Sequence, residues 1–227
     1  MNTLRELNHK FVNISNFLDK KKYFIFDYDG VVVDSVHIKT EAFVNLYKKY
    51  DKNIQSKIAN FHIKNGGINR REKIKYFHKN YIKKKINDEE LEILSNQFSK
   101  FVHNKIIKAH EVEGIYKFLN FYIKTKKLFV NSATPESELV KIIKQRGEDV
   151  FFKHIYGSPK SKFENLTQII EMQNAIKSEF IFFGDAKQDL EASIRSGIDF
   201  IYIKKNKIRL PKAKIKIFFL KNFDIFK

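Results

Sequence analysis

A short apolar run, Tyr23-Phe24-Ile25-Phe26, stops abruptly in Asp27-Tyr28-Asp29-Gly30. The run reads as a buried strand, and packing gives no reason for such a strand to end in two carboxylates. Like charges that close repel, and neither is buried cheaply without a cation or a proton. A divalent cation resolves the conflict. The stretch therefore reads as a metal site that also presents one carboxylate as a nucleophile.

Comparable runs follow later in the chain. Leu128-Phe129-Val130 leads into Asn131-Ser132-Ala133-Thr134-Pro135, and Phe180-Ile181-Phe182-Phe183 leads into Gly184-Asp185. Strands are also expected at Phe200-Ile201-Tyr202-Ile203 and Ile215-Lys216-Ile217-Phe218-Phe219, with a weaker one at about 151–156 before Gly157-Ser158-Pro159. Between them the spacing predicts helices over about 135–146, 162–175 and 187–196, bounded by Pro135, Gly147 and Gly197. Leu4, Leu7, Phe11, Ile14 and Leu18 form one face of a leading helix. Short apolar strands alternating with helices indicate an α/β fold, a doubly wound and mainly parallel sheet covered on both sides.

The stretch from 36 to 110 differs. It has no convincing strand and carries helical patterns at 36–50, 70–83 and 88–107, broken by Asn65-Gly66-Gly67 and Asn87-Asp88. The expected organisation is a core of residues 1–35 and 111–227, with a helical cap of 36–110 inserted after the first strand. Short connections would let such a cap hinge.

Composition narrows the class. The net charge is +18, yet only six of the 44 basic residues are arginine, and the lysines are spread along the whole chain. That pattern favours lysine-rich composition over a dedicated nucleic-acid surface, although a diffuse positive field still steers phosphorylated compounds. With no cysteine there is neither a disulfide nor a thiolate metal site. The N-terminus lacks the apolar block of a secretory signal, and no window approaches the ~20 apolar residues of a membrane span. A cytoplasmic, soluble protein is expected, either a monomer or a homodimer.

Strand ends of an open parallel sheet converge on one crevice. Here they would bring together Asp27 and Asp29, Ser132, Lys160 or Lys162, and Asp185 with Asp189. The set contains carboxylates for Mg²⁺, a hydroxyl and a lysine for phosphate, and a nucleophile. That inventory suits phosphoryl transfer.

At these positions the chain resembles the haloacid dehalogenase-like hydrolases, in the phosphatase and phosphomutase branch with a helical cap. The resemblance rests on Asp27-Tyr28-Asp29-Gly30-Val31, Ser132, Lys162 in Gly157-Ser158-Pro159-Lys160-Ser161-Lys162, and Gly184-Asp185-Ala186-Lys187-Gln188-Asp189. It spans roughly residues 23–203. It implies that Asp27 attacks phosphorus and that Asp29 exchanges protons with the leaving oxygen and then with water. Asp27, the backbone carbonyl of Asp29, Asp185 and Asp189 would hold Mg²⁺. Ser132, Ala133 and Lys162 would hold the phosphoryl oxygens. The acid at position 29 favours phosphate chemistry, because the dehalogenases of the family lack it.

In the cap, Gly67 and Arg70 match a Gly-x-x-Arg stretch that in related enzymes contacts the far end of the substrate. An arginine fork suits a second phosphate or a carboxylate. Asp34 and Ser35 also fit the family, but Lys39 stands where relatives often carry a histidine, with His37 two residues earlier. His62, His78, His103 and His110 show no metal-ligand spacing and read as surface or satisfied side chains.

The expected function is a Mg²⁺-dependent phosphatase for a small phosphorylated metabolite, such as a sugar phosphate, phosphoglycolate or a nucleotide. One rival is a β-phosphoglucomutase-like phosphomutase. Another is a nucleic-acid-binding protein with a degenerate hydrolase core, against which the intact carboxylate set argues.

Overall fold

The computed structural model describes residues 14–203 and 212–224. Leu4, Leu7 and Phe11 of the expected leading helix lie outside the described residues. Residues 14–19 are helical and bury Ile14 and Leu18.

Among the described residues six strands form one sheet: β1 (Tyr23–Phe26), β2 (Lys127–Pro135), β3 (His154–Ser158), β4 (Phe180–Gly184), β5 (Asp199–Ile203) and β6 (Ile217–Leu220). Their order is β3-β2-β1-β4-β5-β6, and every neighbouring pair is parallel. Side chains alternate across a strand, so the apolar runs feed two cores. Phe24, Phe26 and Phe183 pack on one face, and Ile25, Phe129 and Phe182 pack on the other. All six are fully buried, each worth roughly 1.5–3 kcal/mol relative to exposure. This double burial explains why the strands read as continuous apolar runs.

Among the described residues, and besides the helical turns at 14–19, eight α-helices follow β1: α1 (Val36–Leu46), α2 (Lys52–Lys64), α3 (Arg70–Phe77), α4 (Asp88–Ile107), α5 (Ile115–Tyr122), α6 (Glu136–Gln145), α7 (Lys162–Gln173) and α8 (Lys187–Ser196). α5 and α6 cover the first face through Phe118, Leu119, Leu139 and Ile142. α7 and α8 cover the second through Leu166, Ile169 and Leu190. Ser161 starts α7 with a capping box that includes Glu164, and Gly197 ends α8 at φ +73°.

Two helices escape the sequence reading. α2 buries Gln55, Ile58 and His62, so two polar side chains interrupt its apolar stripe. Asp51 caps it by accepting a hydrogen bond from the Ile54 amide at 2.9 Å. α5 is rich in aromatic side chains and only eight residues long, so burial rather than propensity decides it. The helix expected over 70–83 is an α-helix only to Phe77, after which one π-helical turn, His78–Ile82, ends at Lys83 with φ +60°.

The helical stretch leaves and rejoins the sheet side by side. The Asp34 amide donates to the His110 carbonyl and the Val112 amide donates to the Val32 carbonyl, both at 2.9 Å, and Val33 bridges Glu111 in antiparallel fashion. Arg146 secures the return: its Nη1 donates to the carbonyls of Ile106, Ile107 and Ala109. Those carbonyls lie at or just beyond the end of α4, where acceptors lack intrahelical partners. Among the described residues no helix is long and apolar enough to cross a membrane.

Candidate active site

The strand order switches sides between β1 and β4 while all strands stay parallel, and crevices form at such a point. The loops after β1, β2 and β4 meet there around a cavity of about 1170 Å³. Asp27, Asp29, Ser132, Ala133 and Asp185 all line it.

Asp27, Asp185 and Asp189 each bring one carboxylate oxygen to within 4.8 Å of the others. Two glycines make that approach possible. A Cβ on Gly30, which sits at φ +80°, would lie 2.3 Å from Asp185 Oδ2. A Cβ on Gly184 would lie 2.4 Å from the Asp189 Cβ. Burial raises the Asp27 pKa to about 7, with Lys162 opposing and Asp189 and Asp29 adding to the rise. Burial, followed by the charges of Asp27 and Asp189, pushes Asp185 well above the usual carboxylate range. Such a cluster carries a proton unless a cation offsets the repulsion. Hard oxygen donors at this spacing, with no ion pair to Asp185 among the described residues, fit a small divalent ion such as Mg²⁺.

Lys162 occupies the near side of the cluster. Its Nζ lies 2.7 Å from Asp27 Oδ2 and also pairs with Asp189 Oδ1. Asp189 Oδ2 accepts the Ala186 amide at 3.0 Å. Both oxygens of this fully buried acid are therefore engaged, one holding the lysine and one holding its own loop. Asn131 supports the lysine by donating to the Lys162 carbonyl. Lys160 instead reaches Gln168 on the exposed surface. The structure thus brings Lys162, and not Lys160, to the carboxylates.

Asp29 stands apart from the three-acid cluster. Its carboxylate accepts from Ser35 Oγ at 2.5 Å and from Thr134 Oγ1 at 3.2 Å, and it pairs with Lys39. Burial pushes its pKa up, but the Lys39 charge and the three hydrogen bonds outweigh that and hold it low. Lys39 also donates to Thr134 Oγ1 at 2.7 Å. Lys39 and Thr134 line the cavity and were not picked out as functional from the sequence. The Lys39 substitution at the family's histidine position was the available signal. Ser132 is buried, and its Oγ accepts from the Thr134 amide at 3.2 Å.

Arg70 lines the cavity, and both it and Gly67 meet residues from elsewhere in the chain. Arg70 does not offer a free fork. Its Nη2 donates to both oxygens of Glu138, at 2.9 and 3.1 Å, and its Nη1 donates to the Ser95 carbonyl and to Ser99 Oγ. Its guanidinium also lies 4.3 Å from the Phe98 ring centroid. A half-buried carboxylate thus already pairs with the arginine fork. Gly67 faces Gln188, where an added Cβ would fall 2.6 Å from the Gln188 Cβ, while its neighbours Gly66 and Ile68 line the cavity.

His62 also departs from expectation. It is buried in the cavity wall with Nδ1 2.8 Å from Lys73 Nζ, and its Nε2 has no partner.

A profile of the haloacid dehalogenase-like hydrolases matches residues 24–203, and the chain belongs to that family. No curated protein matches the sequence. Among solved structures, the chain is similar to a β-phosphoglucomutase from Clostridium difficile, at 20% identity with a TM-score of 0.74, covering 91% of this chain and 93% of that one. It is also similar to a predicted phosphoglycolate phosphatase from Haemophilus somnus, at 16% identity with a TM-score of 0.70, covering 90% and 96%. A third likeness, at 12% identity with a TM-score of 0.70, is to CbbY from Rhodobacter sphaeroides in complex with phosphate, covering 90% and 95%. At these identities the three likenesses establish a shared fold.

Proposed function

We propose that the protein is a Mg²⁺-dependent phosphatase that hydrolyses a small phosphomonoester through an aspartyl-phosphate on Asp27. The observation that carries this reading is the gathering of Asp27, Asp185 and Asp189 within 4.8 Å of one another beside Lys162 and Asp29. Asp27, Asp185 and Asp189, with the Asp29 backbone carbonyl, would hold the ion. Bound Mg²⁺ supplies positive charge that offsets the clustered carboxylates and the phosphoryl oxygens.

Ser132 Oγ, the amide of Ala133 and Lys162 Nζ receive the phosphoryl oxygens. An Asp27 oxygen bonds to phosphorus as the bond to the leaving oxygen breaks, and Asp29 delivers a proton to that oxygen. Lys39 keeps Asp29 ionised in the free enzyme. An arriving phosphoryl dianion reverses that bias, because a nearby like charge favours the protonated acid. In the second half, Asp29 takes a proton from water as the water oxygen bonds to phosphorus. The Asp27–phosphorus bond then breaks and inorganic phosphate leaves.

Residues 1–35 with 111–227 form the core in this reading, and 36–110 form a cap that closes over the cavity and excludes water. The substrate is a small phosphorylated metabolite rather than nucleic acid. Sugar phosphates, phosphoglycolate and nucleotides are the classes to screen.

The test is phosphate release from such esters with and without Mg²⁺. Turnover should vanish on chelation and fall at least ~10³-fold in Asp27→Asn. Release that survives Asp27→Asn would overturn the reading. A need for a bisphosphate activator, with little free phosphate, would point to phosphomutase chemistry on the same aspartate.

A further inference from the structure

The cavity wall contains a buried lysine that no carboxylate among the described residues pairs with. Lys73 on α3 is only 2% exposed, and its Nζ contacts just two neutral acceptors, His62 Nδ1 at 2.8 Å and the Gly66 carbonyl at 3.0 Å. No carboxylate among the described residues pairs with it, although Lys39 and Arg70, which line the same cavity, both have acidic partners. A lysine is rarely buried without one. Beside it, His62 is 4% exposed and its Nε2 is buried without a partner. Both side chains line the cavity that holds Asp27 and Asp29.

We propose that Lys73 and His62 form a second anion subsite, and that the substrate is a phosphomonoester bearing a second anionic group, a carboxylate or a phosphoryl, at its far end. This rests on the phosphatase reading for the identity of the first anion. The second anion takes the place sequence reasoning gave to Arg70, whose fork is occupied by Glu138. An incoming anion supplies the missing charge to Lys73. The neutral imidazole of His62, accepting from Lys73 at Nδ1, carries its proton at Nε2 in the cavity wall.

Burial, aided by the Lys39 charge, pulls the Lys73 pKa well below 10.5. Binding a second anion restores that affinity for protons, so the complex should take up a proton from solution.

The experiment uses non-hydrolysable probes, so that it does not depend on turnover. Wild-type protein is titrated calorimetrically with methylphosphonate, with ω-phosphonocarboxylates and with α,ω-alkanebisphosphonates of two to five carbons. At least one doubly anionic probe should bind tenfold or more tightly than methylphosphonate. Which series wins identifies carboxylate or phosphoryl as the second group. Lys73→Met should abolish the advantage and Lys73→Arg should keep part of it.

Repeating the wild-type titration in buffers of different ionisation enthalpy should show proton uptake for the doubly anionic probe beyond that for methylphosphonate. This readout stands even where a variant folds poorly. Equal affinity for single and double anions, or an advantage that survives in folded Lys73→Met, would overturn the subsite. If wild-type protein releases no phosphate from any ester yet keeps the tenfold preference, the phosphatase reading fails and the subsite stands.

Discussion

Gly30 and Asp185 are packed so closely that a Cβ on the glycine would lie 2.3 Å from the Asp185 carboxylate oxygen. The glycine also sits at φ +80°, where a side chain costs roughly 1–2 kcal/mol. Gly30→Ala should therefore push Asp185 out of the three-acid cluster. The expected result is a folded protein with Mg²⁺ affinity reduced at least tenfold, read by calorimetric titration. Wild-type affinity in that variant would show that Asp185 is not a ligand.

Metal binding should depend steeply on pH. Asp27 titrates at about 7 and Asp185 well above the usual carboxylate range when no cation is present. A divalent ion must then displace protons, so affinity rises with pH, by up to ~10-fold per unit for each proton released. Mg²⁺ titrations at pH 6 and pH 8 should show tighter binding at the higher pH, with proton release at the lower. Equal affinities would show that the acids are already ionised.

Arg70→Ala should act on stability rather than on substrate choice. It leaves the half-buried Glu138 beside Ser99 without its arginine, at a cost below the roughly 3–5 kcal/mol of breaking a fully buried pair. The unfolding midpoint should fall, and KM should change by a similar factor for doubly and singly anionic esters. A loss confined to the doubly anionic ester would restore Arg70 as a substrate contact.

Mild acid should destabilise the fold through His62. Burial, with the Lys73 charge adding, pulls its pKa from 6.5 to about 2. Between those values the unfolded chain binds a proton that the folded chain refuses. Stability is therefore full above about pH 6.5 and declines below it, by up to ~1.4 kcal/mol per pH unit from this group. Denaturant midpoints measured from pH 7.5 to 5 should drop more steeply in wild type than in His62→Phe. Parallel curves would remove His62 as the cause.

The sheet and its catalytic loops were legible because backbone geometry ties them to local patterns. A strand buried on both faces must be apolar throughout, and a loop carrying Asp27-Tyr28-Asp29-Gly30 has few other uses. The helical stretch was harder to read because its partners come from afar. Gln55 and His62 turn inward on α2, where the Tyr50 carbonyl and Lys73 meet them, and no local period announces that. Arg70 fits a substrate-binding spacing, yet Glu138, 68 positions away, decides its fate. Nothing local sets Lys73 apart from the other lysines of the chain. Only the fold reveals that it is buried.

The paired crossings at 32–34 and 110–112 have a mechanical consequence. Two separate tethers would let the helical lobe twist and slide over the sheet. Laced together by amide-to-carbonyl links and pinned by Arg146, they would act as one ribbon bending about a single line. Opening would then follow one arc, lifting Gly66 and Gly67 off the loop at Ala186 and Gln188 while Arg70 peels from Glu138.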